Sequence, residues 1–331
     1  MENVQLIVCN SNTELGESVG RNLEKPLTPI YSVKHANSEI KVKIEESIRR
    51  KNVYIISSGT NDDNYSINDY LMELFLTLDA CKRSSVKSIT VILPYYPYSR
   101  ADKKDDGRTA IGGSMVASFL KAVGVNRILS MDLHANQIQG FTSLPFDNLQ
   151  AKTLFIKYLK ENHFQSLNRE EINNNYILVA PDSGSVSRIA SYAKTLQLNY
   201  VIMHKQRDYS KESTVVKSIL IGDKDNILGK TAIIIDDMVD TMGTMISCVN
   251  ELVENGIYKA IIMATHGILS EPAISRINES KKIMEIVVTN TLPQTKNLEK
   301  CYKLKVIDIS QLISEVIRRL STGGSISALF S

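Results

Sequence analysis

The stretch Thr231-Ala232-Ile233-Ile234-Ile235-Asp236-Asp237-Met238-Val239-Asp240-Thr241-Met242-Gly243-Thr244 decides how this chain is read. Ala232 to Ile235 is apolar without alternation, the mark of a short strand buried on both faces, as in a parallel sheet covered by helices. The sequence turns acidic at Asp236, Asp237 and Asp240, then passes through Gly243 into a helical pattern over Thr244–Asn255. Carboxylates only accept hydrogen bonds, which suits neighbouring sugar hydroxyls. The hydroxyls and N–H groups from Asp240 to Thr244 stand at a helix start, where the dipole favours an anion. Gly243 permits close backbone approach. The segment reads as a ribose-phosphate cradle. The bland alternative is an acidic turn capping a helix, but three Asp in five residues is more charge than a cap needs.

Working outward, short β-branched runs alternate with helical patterns. The strands expected are Val4–Cys9, Val53–Ser57, Ser88–Leu93, Arg127–Met131, Tyr176–Ala180, Tyr200–His204, Thr231–Ile235, Ala260–Thr265 and Ile283–Thr289. Helical patterns cover Asn68–Lys82, Gly113–Val123, Gln150–Asn162, Val186–Leu196 and Thr244–Asn255. Such alternation argues for an α/β fold. Strands ending at Ser57-Ser58-Gly59 and Asp132-Leu133-His134 are echoed by later ones ending at Pro181-Asp182-Ser183-Gly184 and Asp236-Asp237-Met238, a weak internal repeat. We place the domain boundary after the turn-rich Thr142–Asn148, giving domains 1–148 and 149–331. Asn168–Asn175 is polar and Asn-rich and reads as a surface loop.

Length and composition agree. At 331 residues the chain suits two domains, and 43% hydrophobic with 23% charged residues excludes disordered and low-complexity classes. A net charge of +3 gives no electrostatic case for nucleic-acid binding, and the absence of Trp removes the best stacking platform for single strands. No apolar run reaches the roughly 18 residues needed to span a bilayer, and the start, MENVQLIVCN, lacks a signal-peptide pattern. Cys9, Cys81, Cys248 and Cys301 are far apart, as reduced thiols of a cytoplasmic protein would be.

The acidic segment, D-D-M-x-D-T-x-G-T after an apolar strand, resembles the phosphoribosyl-binding loop of type I phosphoribosyltransferase folds. Pro94-Tyr95-Tyr96-Pro97-Tyr98-Ser99-Arg100-Ala101-Asp102-Lys103-Lys104-Asp105 resembles the P-Y-x-R-x-D-K-K-D segment of ribose-phosphate pyrophosphokinases, also called phosphoribosyl pyrophosphate synthetases. Met131 to Phe141, with its D-L-H-A core, is similar to that family's metal-site segment. Val288-Thr289-Asn290-Thr291 and the tail Ser325–Phe330 fit as well. Several motifs in one order, from about Asn37 to Phe330, make the likeness specific.

The resemblance implies two tandem type I phosphoribosyltransferase-like α/β domains, each with a mainly parallel sheet flanked by helices. It implies transfer of the diphosphoryl group of ATP to O1 of ribose 5-phosphate, with Mg²⁺, an active site between domains near a subunit interface, and a dimer-based hexamer. The tail 321–331 would return to the first domain or a neighbouring subunit. Asp236, Asp237, Asp240, Thr241, Met242, Gly243 and Thr244 would hold ribose 5-phosphate, with Asp237 also a partner for the attacking hydroxyl. Arg100, Asp102 and Lys103 would meet ATP; guanidinium forks and ammonium charges suit phosphate, although a charge run is usually a solvated turn. His134 would contact the Mg-bound nucleotide, and Asp182 would bind the metal; on residues alone each also reads as ordinary, Asp182 as an Asx-turn. Lys205 and Arg207 would stabilise the transition state from a closing loop, where a basic surface loop is the plain reading. His35, Asn37 and Glu39 would recognise adenine from an adjoining subunit; without the resemblance they read equally as a hairpin surface. Ser47, Arg49, Lys104, Asp105, Arg108, Gln139, Asp147, Asn148, Ser325, Ser327 and Phe330 match segments through which phosphate activates and ADP inhibits.

The chain departs from the family pattern in places. His35 stands where Phe stacks on adenine, and Ala101 where Gln is usual. Ser185 and Ser187 stand for Gly and Lys in P-D-x-G-G-x-K-R, while Arg188 is kept. Val239 replaces a small Ala, and Gly107 and Asn136 replace serines of the regulatory site. These changes motivate a second reading, a catalytically weak associated subunit assembled with paralogues. A salvage phosphoribosyltransferase would share the acidic loop but not the basic segment or the duplicated halves.

Overall fold

The computed structural model describes residues 3–59, 61–207, 216–221 and 225–329, with 205–207, 216–219 and 225 described by backbone alone. The chain divides into two compact units. The first comprises 1–150, 290–293 and 308–331; the second comprises 151–289 and 294–307.

In chain order the first unit contains β1 (Val4–Val8), α1 (Thr13–Leu23), β2 (Ile30–Lys34), β3 (Ile40–Ile44), β4 (Asn52–Ile56), α2 (Ile67–Arg83), β5 (Ser88–Leu93), α3 (Gly112–Ala122), β6 (Arg127–Met131) and β7 (Phe146–Leu149). The second contains α4 (Lys152–Asn162), α5 (Arg169–Asn175), β8 (Tyr176–Ala180), α6 (Val186–Leu196), β9 (Tyr200–Arg207), β10 (Val216–Ile221), β11 (Thr231–Val239), α7 (Gly243–Glu254), β12 (Lys259–Gly267), α8 (Ala273–Glu279), β13 (Ile283–Thr289), α9 (Thr295–Lys300) and β14 (Leu304–Ile307). Helix α10 (Ser310–Thr322) belongs to the first unit again.

The first unit's main sheet is parallel throughout, in the order β1-β4-β5-β6-β7, with β2 and β3 as a separate antiparallel hairpin. Its core is built from strand residues such as Ile7, Ile55, Val91 and Ile128 against Leu74, Leu78, Val116 and Leu120 of α2 and α3. Helix α10 packs on α1, where Asn22 donates to Ser310 Oγ at 3.0 Å and Arg318 to the Asn22 carbonyl. The chain touches this unit again at 290–293 and returns to it from Asp308 onward, so its tail at 321–331 is part of a longer return.

The second sheet runs β10-β9-β8-β11-β12-β13-β14, parallel except for the β9–β10 pair. Ala232, Ile233, Ile234 and Ile235 are wholly buried. Full burial of each isoleucine removes enough apolar surface to contribute about 1.5–3 kcal/mol. The strand order reverses direction between β8 and β11. In open α/β sheets, ligands bind outside the carboxyl ends of strands at such a switch point.

The expected α/β architecture is present, further elements such as α1, β7, β14 and α10 are added to it, and three expected segments differ. Asn168–Asn175 is a helix: Asn168 caps α5 by accepting from Glu171 N at 3.0 Å, while Glu171 accepts from Asn168 N at 2.7 Å. This reciprocal capping stabilises a polar turn that lacks an apolar face. Second, β9 extends to Arg207 and pairs antiparallel with β10, register Arg207↔Val216, where the loop carrying Lys205 and Arg207 was expected after His204. Third, Asp236 and Asp237 lie inside β11 and not after it, because β12 continues beside them with Asp236↔Ala264 and Val239↔Gly267.

Candidate functional site

The carboxyl ends of β8 and β11 are neighbours through Val179↔Ile234. On β11, the Asp236 carboxylate folds back so that Oδ1 accepts from Asp237 N at 2.9 Å. Arg188, one turn into α6, reaches both acids: Nη1 lies 2.9 Å from Asp236 Oδ1 and 3.2 Å from Asp237 Oδ1. Asp236 remains 23% exposed and Asp237 7%. Burial first, and the Asp237 carboxylate second, push the Asp236 carboxyl up to about 7 against the pull of Arg188. Two acids in one partly buried site resist full ionisation together.

After β11 the chain turns at Met242, whose φ of 64° lies in the left-handed region, and enters α7 at Gly243. Ile246 N closes the first helical turn on Met242 O at 2.9 Å. Thr241, Gly243 and Thr244 are exposed, whereas Met242 is anchored in the core. The first helical N–H groups have no intrahelical acceptors and face outward at the positive end of the dipole. Three carboxylates, hydroxyls and open N–H groups thus follow each other within nine residues, a set that can grip the hydroxyls and phosphate of one sugar phosphate.

Asp182 begins the turn after β8. Its Oδ1 accepts from Ser185 N at 3.0 Å, and Ser185 Oγ donates to the Asp182 carbonyl at 2.8 Å. The turn anticipated as the ordinary role of Asp182 is therefore present, and it fixes the carboxylate at the strand end. Ser185, one of the departures from the family pattern, is buried and is part of that support.

In the first unit, the segments following β5 and β6 leave adjacent parallel strands at the same end. Met131 N donates to Pro94 O at 3.2 Å and Gln137 Nε2 to Asp102 Oδ2 at 3.0 Å, tying the basic segment to the one that carries His134. Asp102 is buried, and Arg100, Lys103 and His134 are exposed. Lys103 is 3.2 Å from Asp105. His35, Asn37 and Glu39 form the exposed turn between β2 and β3, closed by His35 N to Glu39 O at 2.8 Å and Glu39 N to Asn37 Oδ1 at 3.2 Å.

Of the regulatory candidates, Ser47, Arg49, Lys104, Asp105 and Arg108 are exposed. Asp147 pairs with Arg127, Asn148 binds Leu133 N at 3.1 Å and Asn136 Oδ1 at 3.1 Å, and Gln139 donates to Asn136 O at 3.1 Å. Asn136, a departure from the family's serine, is thus a hub of that cluster. The carbonyl of Ser325 accepts from Arg319 Nη1 at 2.8 Å, and Ser327 opens a short 3₁₀ turn. Phe330 and the side chains of Lys205 and Arg207 lie outside the described residues. Among the described residues no group of three or more His, Cys, Asp or Glu side chains could hold a metal ion.

A model described as the N-terminal domain of ribose phosphate pyrophosphokinase matches residues 4–124. One described as the phosphoribosyl synthetase-associated domain matches residues 211–331. The crystal structure of phosphoribosylpyrophosphate synthetase from Mycobacterium smegmatis is 37% identical, covers 97% of this chain and 100% of its own, and superposes with a TM-score of 0.87. The chain belongs to the ribose-phosphate pyrophosphokinase family. Matches to smaller proteins are much weaker. Purine phosphoribosyltransferase from Pyrococcus horikoshii covers 42% of this chain and 84% of its own at 15% identity, with a TM-score of 0.27.

Within this family member, Arg188 is the residue whose importance sequence reading underrated. It was recognised only as a retained motif position, because nothing local reveals that a helical Arg reaches the end of a strand 48 residues later. Arg276 of α8 was missed altogether. Its Nη1 donates to the Thr241 carbonyl at 2.7 Å, and no spacing pattern in the sequence links the two.

Proposed function

We propose that the chain is a ribose-phosphate diphosphokinase, making 5-phosphoribosyl 1-pyrophosphate and AMP from ATP and ribose 5-phosphate for nucleotide biosynthesis. The observation that carries the proposal is the acidic pair Asp236–Asp237, held by Arg188 and followed at once by the open start of α7. The family relationship supplies the reaction class. The 1-hydroxyl oxygen attacks the β-phosphorus, the bond from that phosphorus to the α-bridging oxygen breaks, and AMP leaves. The hydroxyl proton passes to a nearby acceptor, for which Asp237 is our candidate. Positioning and charge neutralisation supply the rate enhancement.

Asp236, Asp237 and Asp240–Thr244 bind ribose 5-phosphate. Arg100, Asp102, Lys103 and His134 bind ATP, with His35, Asn37 and Glu39 contributed to the adenine of a neighbouring subunit. Lys205 and Arg207 stabilise the transferring group. Mg²⁺ suits a hard oxygen donor and takes few protein ligands. The Asp182 carboxylate, steadied by Ser185 and keeping its second oxygen, fits that chemistry, and His134 completes our assignment. When bound, the ion would neutralise phosphate charge. Phosphate and ADP are our candidate effectors, acting through the Asn136–Asn148 cluster, and assembly into a dimer-based hexamer, in the cytoplasm, belongs to the same proposal. The ordered Ser185 turn argues against the alternative of a catalytically weak associated subunit, since this departure supports Asp182.

The test is incubation of the purified chain with Mg²⁺, ATP and ribose 5-phosphate, with and without inorganic phosphate. AMP and phosphoribosyl pyrophosphate should form in equal amounts. A folded, ATP-binding protein that makes neither product would sink the proposal and favour the associated-subunit reading.

A further inference from the structure

We propose that Arg276 is a positioning residue for ribose 5-phosphate, acting through the Thr241 carbonyl to aim the Met242 N–H into the phosphate cradle. The inference rests on the reading of Asp240–Thr244 as that cradle. Three observations carry it. Arg276 Nη1 donates to Thr241 O at 2.7 Å. The next residue, Met242, is held in a left-handed conformation, φ 64° and ψ 0°, that a side-chain-bearing residue disfavours. Finally, a Cβ built on Gly243 would sit 3.4 Å from Arg276 Nη1, so the guanidinium lies directly against the loop.

The geometry follows from the planarity of the peptide. In a trans peptide the C=O and N–H of one unit point in opposite directions. The Thr241 carbonyl and the Met242 N–H belong to the same unit. A guanidinium gripping that oxygen therefore fixes the N–H on the side away from Arg276. Met242 cannot relax by leaving its conformation freely, because its side chain is anchored in the core. The peptide before it is the remaining freedom, and Arg276 removes it. The Arg276 charge also lies close to the loop, adding to the attraction for phosphate.

Arg276 is partly exposed and stands beside a recess that Lys281 and Lys282 also line. Those lysines separate a specific contact from a general positive field. Ribose 5-phosphate binding to the full-length protein is measured by isothermal titration calorimetry, alongside steady-state KM values and thermal unfolding. Arg276→Ala and Arg276→Met should each weaken ribose 5-phosphate binding about tenfold or more, the scale of a lost charge-assisted hydrogen bond. The KM for ATP and the melting temperature should stay near wild type. Arg276→Lys should recover part of the loss, and Lys281→Ala should bind as wild type does. Unchanged affinity in both Arg276 variants overturns the proposal, as does an equal loss for ATP accompanied by a lower melting temperature. Equal weakening by Lys281→Ala overturns it in favour of a diffuse field. A wild-type protein that folds but does not bind ribose 5-phosphate rejects the cradle itself, a separate failure visible before any variant is made.

Discussion

Replacing Asp236 by Asn should stabilise the protein at pH 8 and leave its stability nearly unchanged at pH 4. Asp236 is less than a quarter exposed and lies beside Asp237, and its carboxyl is pushed from 3.8 to about 7. Between those values the folded protein holds a proton that the unfolded chain has released, so stability falls as pH rises through the window. At about 1.4 kcal/mol per pH unit, the full interval corresponds to roughly 4 kcal/mol, an upper bound. Asn keeps an acceptor oxygen for the Asp237 N–H and for Arg188 while removing the charge. The advantage of Asp236→Asn over wild type should therefore open between pH 4 and 7, reach at least about 1 kcal/mol, and level off above pH 7. Urea unfolding followed by far-UV circular dichroism at pH 4, 5, 6, 7 and 8 measures it. The quantity that matters is the change in the gap with pH, since any constant offset from the amide cancels. A gap that does not vary, or a variant less stable at pH 8 than at pH 4 relative to wild type, would refute the reasoning. Confirmation would mean that the site carries charge at the expense of stability, as functional sites commonly do.

Three further outcomes are expected. Asp182→Asn should retain the fold, because the Ser185 turn needs only one acceptor oxygen, while product formation in the coupled AMP assay falls at least a hundredfold; activity within twofold of wild type removes Asp182 from the machinery. Gly16→Ala should lower stability by about 1–3 kcal/mol in denaturant titration, since a Cβ there would overlap both methyls of the buried Val8. All four cysteines are buried thiols, and burial pushes Cys9 far up and Cys81 to about 12, so Ellman's reagent should titrate none of them until the protein is unfolded. Fast native-state labelling of any one would contradict the packing around it.

The sequence by itself determined the architecture and the chemical make-up of the acidic loop. Both are written in local patterns: Ala232–Ile235 has no polar alternation and must be covered on both faces, and Asp236 to Thr244 lists its chemistry in order along a few residues. Elements whose stability comes from pairing or capping were harder to see. β10 and β14 are short strands at the sheet edges, fixed by register with β9 and β13, and α5 is held by the Asn168–Glu171 exchange without an apolar face. The tertiary structure alone decided that Arg188 clasps both carboxylates and that Arg276 grips the Thr241 carbonyl. It also decided that the chain returns to its first unit, briefly at 290–293 and then from Asp308 through the packing of α10 on α1. These contacts join residues dozens to hundreds of positions apart. A side chain that meets a distant carboxylate or carbonyl leaves no periodicity behind, so only the folded chain can report it.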